Sequence, residues 1–93
     1  MESNIDESEL GPVRSLDASG AMCPVPVLRA SAMLRQMAAG EVLEVIATDP
    51  HAELDFEVFC VRSGHRLLSV EIDGGQLRFL LRCRDQSEAP ADP

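Results

Sequence analysis

The sequence predicts an α/β fold: a two-layer α/β sandwich in the order βαβαββ, a four-stranded mixed sheet with two helices on one face. Three observations carry that expectation. Apolar residues recur at a helical period from Val27 to Ala38, a dense apolar run fills 42–46, and two alternating segments flank Asp73-Gly74-Gly75. At 93 residues the chain has room for one domain, which would bury roughly 64% of its unfolded surface.

Val13 to Ala18 reads as the first strand, stopped by the turn pair Ser19-Gly20. Val27, Ala30, Leu34, Met37 and Ala38 then fall on one stripe of a helix that Gly40 closes. Glu41 to Thr48, with Val42, Leu43, Val45 and Ile46, suits a strand with one face covered. Residues 51–63 fit both periods, because Leu54, Phe56 and Val58 alternate while Phe56, Phe59 and Cys60 have helical spacing. The flanks decide for a helix. Asp49 before Pro50 reads as an N-cap followed by an N1 proline, Glu53 adds negative charge to the first turn, and Gly64 supplies the stop. Phe56, Phe59 and Cys60 are then expected to face the sheet. Leu68, Val70 and Ile72 form the third strand, Asp73-Gly74-Gly75 a hairpin turn, and Leu77, Phe79, Leu81 and Cys83 the inward side of the fourth. Right-handed crossovers place both helices on one face, and the Cys23 loop and the Asp49-Pro50 helix start at one sheet edge.

Residues 13–83 are the expected folded unit. Residues 1–12 and 84–93 read as acidic, mobile tails, and the start has neither the basic nor the apolar region of a secretory signal. No apolar run nears the ~20 residues of a membrane span, and a cytoplasmic protein is expected. Sixteen acidic residues against eight basic ones give a net charge of -8, and every base is Arg. Binding to a phosphate backbone is excluded on that balance, because it needs clustered positive charge.

Three cysteines, an odd number without an export signal, argue against a disulfide framework. Cys60 and Cys83 fall on inward stripes and read as core. Cys23 stands apart, in Met22-Cys23-Pro24-Val25-Pro26, where the first loop becomes the first helix. Pro24 and Pro26 have no amide proton and a fixed φ, which suits a first helical turn. Cys23 then occupies or adjoins the N-cap, where the positive helix end favours a thiolate. His51 lies on the same predicted edge, as a solvated helix-start residue or as a proton acceptor for Cys23. Asp49 reads chiefly as a cap and Asp55 as a residue of the helix surface. Two histidines and three cysteines without ligand spacing point to no metal site.

The string Leu16-Asp17-Ala18-Ser19-Gly20-Ala21-Met22-Cys23-Pro24-Val25-Pro26, followed by Gly40-Glu41-Val42-Leu43-Glu44-Val45, Thr48-Asp49-Pro50, Asp55-Phe56, Phe59-Cys60 and Gly64-His65, resembles the TusA/SirA-like family of sulfur carriers. The resemblance spans about 14–83. It implies a βαβαββ two-layer sandwich, in agreement with the periodicity, and a persulfide on Cys23 of the CPxP motif, with no cofactor. It also implies a persulfide donor such as a cysteine desulfurase or rhodanese, and an acceptor protein downstream, in tRNA thiolation or other sulfur trafficking. Val25 stands where many tRNA-thiolation members have Glu, and Ala21-Met22 where they have Leu-Arg or a similar pair. The alternatives are a noncatalytic regulatory or interaction module of the same fold, or a carrier in sulfur oxidation or selenium metabolism. Arg29 and Arg35, on the helix that follows Cys23, are expected to help dock a partner.

Overall fold

A computed structural model describes residues 13–85. The elements follow the expected order: β1 (Val13–Ala18), α1 (Val25–Leu34), β2 (Val42–Ala47), α2 (Ala52–Ser63), β3 (Arg66–Asp73) and β4 (Gln76–Arg82). The sheet order is β1-β2-β4-β3. β1 runs parallel to β2, while β4 is antiparallel to both β2 and β3. β1, β2 and β3 therefore point the same way, and the loops that follow them share one edge. The tails expected at 1–12 and 84–93 lie outside the described residues, apart from Arg84 and Asp85.

Both helices cover the same face. Ala30 and Leu34 of α1 and Ala52, Phe56 and Cys60 of α2 join Leu43, Val45, Ala47, Leu77, Phe79, Leu81 and Cys83 in one core cluster. At its centre the Phe56 and Phe79 rings lie 4.6 Å apart. A smaller cluster of Val42 and Leu80, with Leu68 against it, sits on the opposite face of the sheet. There Glu44 accepts a hydrogen bond from the Ser15 hydroxyl at 2.9 Å and pairs with Arg78, which also reaches Glu71 at 3.2 Å. The ladder joins all four strands through side chains.

Four local expectations need correction. α1 ends at Leu34, not near Gly40, because the chain tightens from i→i−4 to i→i−3 bonds, with Gln36 N–H on Met33 and Met37 N–H on Leu34. Met37 stays buried three residues after Leu34, so the apolar period continues through turns, whereas Ala38 is exposed. α2 begins at Ala52, with His51 at its N-cap; Asp49 sits two residues earlier and closes a turn on Ala52 N–H, so Pro50 precedes the helix. In β3 a bulge between Leu67 and Ser69 turns Leu67 to the core and Leu68 to the far face, which shifts the alternation by one residue. Phe59 is only half-buried, edge-on to Phe56 at 6.4 Å.

The end of α2 matches the sequence reading. Gly64 has φ 88° and its N–H reaches the Cys60 carbonyl; a Cβ there would be strained and would press on Arg84 at 2.9 Å. His65 is buried, stacks on Phe59 at 5.7 Å, and its Nδ1 accepts the Arg84 N–H at 3.0 Å. That bond needs the neutral ring.

Phe56→Ala is expected to cost about 3–5 kcal/mol and Phe59→Ala about 1 kcal/mol, because only the first ring is fully enclosed; denaturant unfolding of the two variants checks the order. Burial, and secondarily Arg84, hold the His65 pKa below its ordinary 6.5. The unfolded chain therefore binds the proton more readily, so this contribution is full above pH 6.5 and is lost as pH falls through the lowered value. Unfolding midpoints measured from pH 8 to pH 5 are expected to fall less in His65→Gln than in the parent.

Candidate functional site

The site is built where the loops after β1 and β2 meet. Gly20, at φ 81°, turns the chain out of β1, and its N–H donates to Thr48 Oγ1 at 2.9 Å. Three residues on, the Cys23 N–H donates to Asp49 Oδ2 at 2.6 Å. The other oxygen of Asp49 accepts the His51 N–H at 2.9 Å and faces His51 Nδ1 at 3.0 Å. One carboxylate thus joins the cysteine loop to the start of α2. These donors hold the Asp49 carboxyl below its ordinary pKa, the His51 N–H most strongly and the Cys23 N–H next.

Pro24 is the N-cap of α1 and Pro26 its second residue, so Cys23 lies just ahead of the helix. The Cys23–Pro24 peptide is cis. Pro24 is exposed and its carbonyl accepts the Leu28 N–H at 3.1 Å, while Pro26 is fully buried. The two prolines therefore sit differently: Pro26 is enclosed in the core under the first turn, and Pro24 is on the surface beside the cysteine.

Cys23 is exposed, whereas Cys60 and Cys83 are buried, and no disulfide joins any of the three. Burial pushes the Cys60 thiol up to about 11. Cys83 Sγ lies 3.5 Å from the Leu34 carbonyl and 3.6 Å from that of Met37, inside the core. The expected thiolate at Cys23 is reversed. Its Sγ–H donates to Asp55 Oδ2 at 2.6 Å, and that bond, with desolvation and the charges of Asp55 and Asp49, raises the thiol pKa above its ordinary value. A full negative charge in direct contact outweighs the partial positive charge of a helix end whose second residue is proline.

Asp55 is the residue that sequence reasoning missed. It lies 32 residues from Cys23, and the two meet only through the tertiary fold. The signal was present in the acids of Thr48-Asp49-Pro50 and Asp55-Phe56, read as caps and helix surface. His51 is tied to Asp49 and not to the sulfur. Beside the cysteine, Pro24, Val27, Leu54, Asp55, Val58, Phe59 and Arg62 line a shallow groove between the helices. Arg29 is exposed on α1 outside that groove, and Arg35 is exposed at the helix C-cap. Six helical residues span about 600° of arc, so the two side chains leave the axis roughly 120° apart. Among the described residues no group of three or more His, Cys, Asp or Glu is placed to hold a metal ion. No helix among them is long and apolar enough to cross a membrane.

Fold and site together define a small α/β sandwich that presents one accessible thiol on the loop before its first helix. The family model described as sulfurtransferase TusA matches residues 14–83. A sulfur carrier protein TusA of Allochromatium vinosum is 45% identical over 69 residues, covering 74% of this chain and 91% of that protein. A putative sulfur carrier protein of Neisseria meningitidis is 49% identical over 61 residues, covering 66% of this chain and 82% of its own length. In fold, the chain is similar to the crystal structure of a SirA-like protein from Desulfitobacterium hafniense, with a TM-score of 0.67 at 24% identity over 78% of this chain and 99% of that one. The chain belongs to the TusA sulfurtransferase family.

Proposed function

We propose that this chain is a sulfur carrier whose Cys23 holds sulfane sulfur as a persulfide and relays it between partner proteins. The observation that carries this reading is the contrast among the three thiols: Cys23 is exposed at the loop edge, and Cys60 and Cys83 are enclosed in the core. Family membership and the names of the relatives support it. Cys23 sulfur attacks the outer sulfur of a donor persulfide, the donor's S–S bond breaks, and an S–S bond forms at Cys23. The reverse exchange hands the sulfur to an acceptor thiol. We assign the role of carrier unit to residues 13–83 and the cytoplasm as its compartment, with a cysteine desulfurase or rhodanese as the class of donor.

Pro24 and Pro26 position the motif. Docking runs over the exposed start of α1, where Met22 and Leu28 project, with Arg29 beside it and Arg35 at the far end of the helix adding positive charge to an otherwise acidic chain.

Single Cys→Ser variants incubated with a cysteine desulfurase and cysteine, then weighed intact, test the carrier. Cys60→Ser and Cys83→Ser are expected to gain one sulfur and Cys23→Ser none; sulfur gained by Cys23→Ser refutes the assignment. Charge reversal tests docking. Arg29→Glu is expected to slow protein-donor loading more than Arg35→Glu, because it lies closer to Cys23 along α1, and equal rates in both variants and the parent remove the docking role.

A further inference from the structure

The Cys23–Asp55 contact has a chemical consequence that the carrier reading alone does not contain. The exposed Cys23 meets two carboxylates, Asp55 accepting from its S–H and Asp49 from its backbone N–H. The roles differ. Asp49 grips backbone on both sides and fixes the loop, whereas the Asp55 carboxylate bonds the sulfur itself. Phe56, the next residue, is enclosed in the core and fixes the rotation of α2, so Asp55 is held toward Cys23 by packing. Of the other titratable groups at this edge, His51 is engaged by Asp49, and Arg62 lies further along the groove.

We infer that Asp55 is a positioning residue that holds the unloaded carrier as a thiol turned against α2, and that sulfur uptake starts when a cationic group on the donor takes over the Asp55 carboxylate. This rests on the carrier reading. The raised thiol pKa agrees with it. Uptake balances as Cys23–SH plus R–S–SH giving Cys23–S–SH plus R–SH. The Cys23 proton ends on the donor's departing thiolate, one S–S bond breaks as another forms, and nothing is oxidised overall. With Asp55 unpaired, the sulfur anion needed for attack develops beside a negative charge. A cation on the donor removes that repulsion, so the acid selects donors that bring positive charge next to their persulfide. Once loaded, Sγ has no proton to donate and the bond to Asp55 ends.

The test uses the full chain as parent, Asp55→Asn, which keeps the side-chain shape, and Glu57→Gln, which removes an equal charge from an exposed position of the same helix. Iodoacetamide alkylation of Cys23 is followed against pH, with thermal melts to verify folding. The midpoint is expected to fall in Asp55→Asn, with faster alkylation at pH 7, and to stay at the parental value in Glu57→Gln. Loading is then compared between cysteamine persulfide, which carries an ammonium group, and glutathione persulfide, which is net anionic. The parent is expected to favour the cationic donor, and Asp55→Asn to lose most of that preference. An unchanged midpoint or an unchanged donor preference in Asp55→Asn overturns the inference. A shifted midpoint with no sulfur gained by any variant upholds the Asp55 bond and overturns the carrier reading instead.

Discussion

The Asp49 carboxylate is the constraint on which the site depends. It accepts the Cys23 N–H with one oxygen and the His51 N–H with the other, so a single side chain joins the loop after β1 to the start of α2. Twenty-six residues separate Cys23 from Asp49, and the parallel pairing of β1 with β2 closes that distance. The Gly20 bond to Thr48 makes the same connection one turn earlier. Two hydrogen bonds between loops that are otherwise exposed give the cysteine a fixed place on a domain too small to enclose it.

Placement at a sheet edge and reactivity are separate matters here. The fold exposes Cys23 at the carboxyl ends of the parallel strands, where open α/β sheets carry their sites. The sulfur is hydrogen-bonded to an acid, Asp55, and that bond, with the charge of Asp49 nearby, favours its neutral form. A carrier gains from that arrangement. A thiol kept protonated in isolation reacts slowly with stray electrophiles, because the thiolate is the nucleophile. The buried cysteines are protected differently, by enclosure in the core.

The alternation of Leu77, Phe79, Leu81 and Cys83 and the helical spacing of Ala30 and Leu34 made the core legible in the sequence, because period and burial coincide there. Reading failed where the backbone departs from a regular period. The bulge at Leu67–Ser69 shifts the inward positions of β3, and the i→i−3 turns after Leu34 keep Met37 inward although the helix has ended. Cys23 was legible from its prolines. Asp55 was not, because its place at the site depends on a contact 32 residues distant across two elements, and a carboxylate in the first turns of a helix looks the same whether it meets solvent or sulfur.

The Asp49 carboxylate holds the cysteine loop to the start of α2, and amide hydrogen exchange at Cys23 tests this most directly. The parent is expected to show a protected Cys23 amide. Asp49→Ala is expected to lose that protection at Cys23 and at His51 while the amides of β2 and β4 exchange as before. A Cys23 amide equally protected in parent and variant, with the fold intact in both, would contradict the account.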